Sequence, residues 1–286
     1  NDRIQKFSKE GTLLHVIGKS GSGEGQFDKP SGIALSSKGN ICVADTGNKR
    51  VQVFSAKGMF LGTFGKSGSL RGQFKAPVDL TVDRAGNMYV VDRGNNKFGK
   101  YDSNGSLLWE FGKEGAGDGE FVRPENIVVS PDNEVYVLDA GNARVQVFDS
   151  SGKFLRKFGS PGRGPGEFKE PLGLALEAGV RLYVGDAGNN RVQTFTLRHT
   201  PAVPHDIAAQ ARPNEIQVSW KPNAETYLDH YTVYRAESTT GPFKLAGATK
   251  DLFYTDKNLP SNKTFTYAVT SQARDGNESA LSLSVS

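Results

Sequence analysis

Asp79, Glu125 and Asn126 are the side chains of this sequence with the clearest chemical potential. Carboxylate and amide oxygens gathered at one mouth are ligands for a hard cation such as calcium, and a carboxylate beside such a site can activate water. The triplets Gly18-Lys19-Ser20 and Gly65-Lys66-Ser67 carry the ending of a phosphate-binding loop. That loop also needs a glycine five residues before its Gly-Lys, where Leu13 and Phe60 stand, and a helix to follow. Gly162 and Gly164 start a dinucleotide-type spacing that Pro165 and Gly166 break. There are four histidines, and only His15 lies in the regular part of the chain, too few for a metal or nucleophile–base cluster there. Cys42, the single cysteine, replaces Tyr89, Tyr136 and Tyr183 of sister segments, which marks it as a core residue.

The sister segments are internal repeats. Phe27, Phe74, Phe121 and Phe168 are spaced by 47 residues, as are Asp45, Asp92, Asp139 and Asp186, and Gly47, Gly94, Gly141 and Gly188. Asn1, Asn48, Asn95, Asn142 and Asn189 carry the register through five copies without an insertion. Within the second copy, strands are expected at residues 32–36 (a), 40–44 (b), 50–54 (c) and 59–64 (d), separated by glycine-containing turns. Strand b is apolar on both faces, so it must lie between two layers, and four-stranded units of this length covered on both sides are β-propeller blades. Strand a lines the central channel. Its opening residues, Ser31-Gly32, Val78-Asp79, Glu125-Asn126 and Leu172-Gly173, then sit at the channel mouth, where Asp79, Glu125 and Asn126 are the polar exceptions.

These residues resemble the NHL repeat family. The segment GEGQFDKPSGIALSSKGNICVADTGNKRVQVFSAKGMFLGTFG at 23–65 carries the likeness, and it recurs in register to residue 197. The resemblance implies a propeller, most often of six blades, with the Asp-x-Gly-Asn-x-Arg turn between b and c as its signature. The third copy departs from it, with Lys97 for arginine and Phe98-Gly99 for Val-Gln. Lyases of related propellers use several histidines, which are missing here, and calcium-dependent hydrolases use acidic and amide groups at the mouth. In the repeated turns the aspartate is expected to accept backbone N–H groups and the arginine to bridge to it, a structural role. Residues 1–18 match only strands c and d, and the last copy has a, b and c. The d strand could close a four-bladed ring; the expectation is a longer ring whose first blades lie upstream of Asn1.

After residue 197 the register stops. Residues 198–205 read as a Pro-containing linker, and 206–286 as alternating short strands without a cysteine pair. This segment resembles a fibronectin type III domain: Trp220, the Tyr231-Thr-Val-Tyr-Arg run, Leu259-Pro260 and Tyr267-Ala-Val fit, while the tyrosine-corner position falls on Phe265. The fold expected is thus all-β, with NHL-type propeller blades over 1–197 followed by an immunoglobulin-like sandwich over 206–286.

Composition limits the functions open to such a chain. Hydrophobic residues make 36% and charged residues 23% of the 286, outside the range of disordered chains. No apolar run approaches the roughly 18 residues of a membrane helix. Residues 1–197 hold 26 Lys+Arg against 22 Asp+Glu, which accounts for the net charge of +4, a weak field for a polyanion, and nucleic acid is not expected as a partner. The d-to-a loops are long, variable and mixed in sign, with Arg71, Arg93 and Arg123 beside Glu24, Asp118 and Glu120. Loops on a rigid scaffold are the usual carriers of recognition. The expected function is a non-catalytic binding or scaffold module for a protein or glycan, using Arg71, Asp79, Arg93, Arg123, Glu125, Asn126 and the unusual d-strand Trp109, with no cofactor, metal or catalytic residue. The alternative is a metal-assisted hydrolase or lyase at the channel mouth. The family resemblance implies an extracellular or periplasmic location, and open sheet edges invite pairing with another chain.

Overall fold

The computed structural model of the chain describes residues 1–177, 181–197, 200–225, 228–239, 241–274 and 276–286. It divides into two compact units, one of Asn1–Glu177 and Leu182–Phe195, the other built mainly from Thr196–Ser286.

The first unit opens with a two-stranded sheet, β1 (Ile4–Phe7) and β2 (Leu13–Ile17). Three complete antiparallel meanders follow. They are β3 (Pro30–Leu35), β4 (Ile41–Asp45), β5 (Arg50–Phe54) and β6 (Phe60–Phe64); β7 (Pro77–Val82), β8 (Met88–Asp92), β9 (Lys97–Tyr101) and β10 (Leu107–Phe111); and β11 (Pro124–Val129), β12 (Val135–Asp139), β13 (Arg144–Phe148) and β14 (Phe154–Phe158). The short parallel pair β15 (Ser160–Pro161) and β16 (Glu167–Phe168) precedes a three-stranded sheet of β17 (Pro171–Glu177), β18 (Arg181–Asp186) and β19 (Arg191–Thr196). β2 pairs only with β1, so the described strands do not form the four-bladed closure. The first strands of neighbouring sheets, β3, β7, β11 and β17, pack side by side and are innermost. Single 3-10 turns lie between second and third strands in the last three copies.

Burial of the second strand on both faces builds the core. Val90 packs with Cys42, Ala44 and Val51 of the preceding sheet, while its neighbours Tyr89 and Val91 pack with Ile127, Val135 and Val137 of the next. Alternation along one strand therefore joins three sheets. Phe27, Phe74, Phe121 and Phe168 are buried at the same repeat position. The chain passes so close over these rings that Gly65, at φ +87°, has Phe74 ring carbon 2.3 Å from where a Cβ would stand.

In the second unit β20 (Ala208–Arg212), β21 (Glu215–Ser219) and β24 (Phe253–Lys257) form one sheet, and β22 (Leu228–Ala236), β23 (Lys244–Thr249) and β25 (Thr266–Ala273) the other. Val218 and Trp220 of one side meet Tyr231, Val233, Tyr267 and Val269 of the other. Phe265 is buried with no hydroxyl to give; instead Tyr267 donates to Asp256 at 2.9 Å, and Arg235 pairs with the same carboxylate at 2.8 Å while lying over the Phe265 ring. Burial, then the Asp256 carboxylate, raise the Tyr267 hydroxyl pKa. Of the expected linker, 198 and 199 lie outside the described residues. From Ala202 on, the chain is bonded into the second unit: Ala202 N–H donates to Glu225, and Lys221 N–H to the His205 carbonyl.

Replacing Gly65 by alanine should destabilise the first unit by about 2–4 kcal/mol, the sum of a left-handed backbone penalty and overpacking. Denaturant unfolding checks this; a change under 0.5 kcal/mol would show that the ring can move aside.

Candidate functional site

The loop face is built around one buried carboxylate per repeat. Asp45, at the end of β4, is fully buried and accepts the Asp28 N–H at 2.8 Å, Asn48 Nδ2 at 2.9 Å, Arg50 Nε at 2.8 Å and Gln52 Nε2 at 3.1 Å. Its partners reach on into the long loop before the repeat: Asn48 donates to the Gly21 carbonyl, Arg50 to those of Gly23 and Gln26, and Gln52 to Gln26 while accepting the Gly25 N–H. Asp139 and Asp186 repeat the pattern with Arg144, Gln146, Arg191 and Gln193. The signature turn thus clamps the loop, as its recurrence in every copy suggested.

The third copy solves the same problem with other residues. Lys97 turns from Asp92 to Glu110 at 2.9 Å and donates to the Leu70 carbonyl. Glu110, on β10, also accepts the Gly72 N–H, the bond that glutamine accepts in the other copies. Gly99 stands where they have that glutamine, and a Cβ there would lie 3.4 Å from Cβ of Glu110. The lysine, the glycine and the glutamate are therefore one coordinated change. Sequence reading registered the first two and missed Glu110, although a carboxylate where Thr63 and Lys157 stand was the available signal.

The mouth residues are placed differently from expectation. Asp79 Oδ2 accepts the Ile127 N–H of the next inner strand at 3.0 Å, and Asn126 Oδ1 accepts the Leu174 N–H at 3.0 Å. The two are equivalent positions, so each staples its strand to the following one rather than offering oxygens to a ligand. At the same position Gly32 comes so near Asp79 that a Cβ would lie 2.5 Å from its Cα. Burial pushes the Asp79 carboxyl up to about 6, against the pull of the Ile127 and Leu80 N–H groups. Glu125 is paired with both Arg93 at 3.2 Å and Arg123 at 3.5 Å. These three come together. Arg71 is exposed in another loop, away from them in the repeat.

Trp109 corrects the expectation of a surface hot spot. Its ring meets Phe98 edge-on at 5.5 Å and Tyr89 at 6.0 Å, and stands over the Gly152 turn of the next sheet. It is half-buried filling between blades. Cys42 is buried and its thiol is pushed up to about 11 by desolvation. Among the described residues, no three His, Cys, Asp or Glu side chains converge as a metal site. One concavity on this face, of about 500 Å³, opens between the fourth and fifth copies and is lined by Arg123, Ala140, Ala143, Arg163, Lys169 and Glu170 among others.

Asp79→Asn should imitate Asn126 and keep the staple without a buried charge. A carboxyl raised from 3.8 to about 6 binds its proton more tightly in the folded state, so the wild type loses stability as pH rises through that window and carries the full penalty above it. The variant should therefore gain about 1–3 kcal/mol at pH 8 and little at pH 3.5. Chemical unfolding at both values reads this; an equal effect at both would remove the carboxyl's titration as the cause. Glu110→Ala should cost about 2–4 kcal/mol by taking the carboxylate from Lys97, which keeps only the Leu70 carbonyl, and leaving the Gly72 N–H unpaired. Adding Lys97→Arg with Gly99→Gln should restore most of it, and no recovery would break the coordinated-change argument.

Comparison with known proteins fits this geometry. The NHL repeat family matches residues 27–54, and a family described as 6-bladed beta-propeller matches 114–272, more than half of the chain. The latter match runs past 197 into the second unit. No curated protein matches the chain. Among solved structures, a Bacteroides thetaiotaomicron protein of unknown function is 17% identical, with 68% of this chain and 53% of that one covered and a TM-score of 0.55. This chain thus spans about half of that protein. A catalytically inactive virginiamycin B lyase from Staphylococcus aureus, with quinupristin, is 17% identical over 77% of this chain and 70% of that one, TM-score 0.50. The selenomethionine form of the S. aureus lyase is 15% identical over 91% and 88%, TM-score 0.50. At such identities the likeness is one of fold. With the repeat, the sheet order and the family match together, the chain belongs to the 6-bladed beta-propeller family.

Proposed function

We propose that this chain is a non-catalytic binding module that holds a protein or glycan on the loop face of its propeller. The observation that carries this reading is the clamp: every long loop before a blade is tied to a buried aspartate or, in the third copy, also to Glu110. Loops held this way present their outer side chains with little ordering entropy left to lose on binding. Arg93, Arg123 and Glu125 give that face adjacent charges of both signs, and Arg71 adds an exposed guanidinium. The alternative, a metal-assisted hydrolase or lyase at the mouth, needs oxygens free to bind a cation, and Asp79, Asn126 and Glu125 are each engaged within the protein.

The second unit fits a fibronectin type III module in its three-on-three sheets and its Trp220–Tyr231 core contact at 5.2 Å. A propeller carrying such a module without disulfides resembles bacterial envelope or secreted proteins more than cytosolic enzymes, and by that analogy the proposed location is extracellular or periplasmic. Cell fractionation of the protein expressed from its native gene should find it outside the cytoplasm; recovery in the cytosol would overturn the placement.

Replacing Arg71, Arg93 and Arg123 together by alanine should weaken capture of the partner at least tenfold. The melting temperature should fall only modestly: the two guanidinium groups are largely exposed, where a pair contributes about 0–1 kcal/mol, but Glu125 is 13% exposed and loses both its partners. A glycan array and pull-down with purified protein, each read at two salt concentrations, provide the measurement. A moderate salt dependence is expected from mixed charges. A calcium-dependent hydrolysis abolished by Asp79→Ala or Glu125→Ala would make the mouth an active site instead.

A further inference from the structure

We propose that the cleft between the fourth and fifth copies binds a sugar-borne oxyanion, a carboxylate or phosphate on a carbohydrate; this rests on, and deepens, the binding-module reading. The cleft exists because of two alanines. Where the third copy has Arg93 and Asn96, the fourth has Ala140 and Ala143, and the space of about 500 Å³ lies over them. That size suits one or two sugar rings.

The alanine at 143 also exposes a donor. In two of the other three junctions the residue at this position reaches the next copy's backbone: Asp2 Oδ1 accepts the Lys29 N–H at 2.9 Å, and Asn96 Oδ1 accepts the Arg123 N–H at 3.0 Å; in the third, Lys49 turns to the Gly47 carbonyl and Asp92 caps the Ala76 N–H instead. Ala143 offers only a methyl, so the equivalent N–H, that of Glu170, gains no side-chain cap among the described residues. Around it stand Arg123, Arg163 and Lys169. Arg123 shares Glu125 with Arg93, whereas Arg163 and Lys169 are exposed and form no ion pair among the described residues. The fourth charged group, the Glu170 carboxylate, leaves a surplus of two positive charges. An isolated inorganic anion would meet repulsion from it. A sugar acid satisfies both signs, placing its oxyanion on the guanidinium and ammonium groups and a hydroxyl on Glu170.

Calorimetric titration and ligand-observed NMR with glucuronate, glucose 6-phosphate and glucose test this. At least one of the charged sugars should bind ten times or more tighter than glucose, and which one does so identifies the oxyanion. The double variant Arg163→Ala/Lys169→Ala should weaken that binding at least tenfold. Ala143→Asn should do the same by filling the cleft and capping Glu170, while keeping or raising the melting temperature, since asparagine tolerates the left-handed φ of 52° found there better than alanine. Equal binding of glucose, no binding of either charged sugar, or binding that survives both variants would overturn the proposal. The module reading is judged separately, by an Arg71→Ala/Arg93→Ala variant, which leaves Arg123, Arg163, Lys169 and Ala143 of the cleft in place.

Discussion

A carboxylate with no exposure to water has to be surrounded by donors, and that requirement organises the first unit. Asp45, Asp139 and Asp186 each collect a backbone N–H, an amide and a guanidinium, then a second amide. Removing the guanidinium would leave charge buried and underpaired, a cost of about 3–5 kcal/mol. The donors use their remaining N–H groups on loop carbonyls, so a single charge fixes both the turn that carries it and the loop some 20 residues earlier in the chain. Loop order, inner-strand placement and the shape of the exposed face all follow from this desolvated ion.

Much of that was legible before any coordinates. The 47-residue step, the doubly apolar second strand and the structural role of the Asp-x-Gly-Asn-x-Arg turn are local properties, and periodicity reports local properties well. What was not legible depends on contacts between copies. Asp79 and Asn126 read as free polar exceptions because nothing in a single copy shows that their acceptor oxygens meet an N–H 48 positions later. Trp109 read as a surface aromatic because its neighbours Tyr89 and the Gly152 turn are supplied by other strands. The cleft at Ala140 and Ala143 was hidden for a simpler reason: comparison of copies drew attention to added polar groups, and here the informative change was a loss of volume.

The second unit is held by different means. Its core is a hydrophobic filling between two sheets, closed at one place by Arg235, Asp256 and Tyr267. Repetition gave no help there, and individual residues such as Trp220 and Tyr231 had to carry the reading. The sheets and their shared core could be anticipated from alternation, while the bonding of Ala202 and His205 into this unit could not, because a proline-containing stretch says little about which backbone groups find partners.

The exchange of Arg-Gln for Lys97, Gly99 and Glu110 shows how such a chain can change over time. Each clamp is closed inside its own copy, so a substitution in one is answered by residues within the same 47-residue stretch, without consulting the others. The array behaves as a row of semi-independent units coupled mainly to nearest neighbours. Damage to one clamp is confined, repair is a short-range search, and neighbouring copies can drift in surface chemistry while the buried framework holds. A face assembled this way is a set of separately variable facets, each free to acquire its own ligand preference.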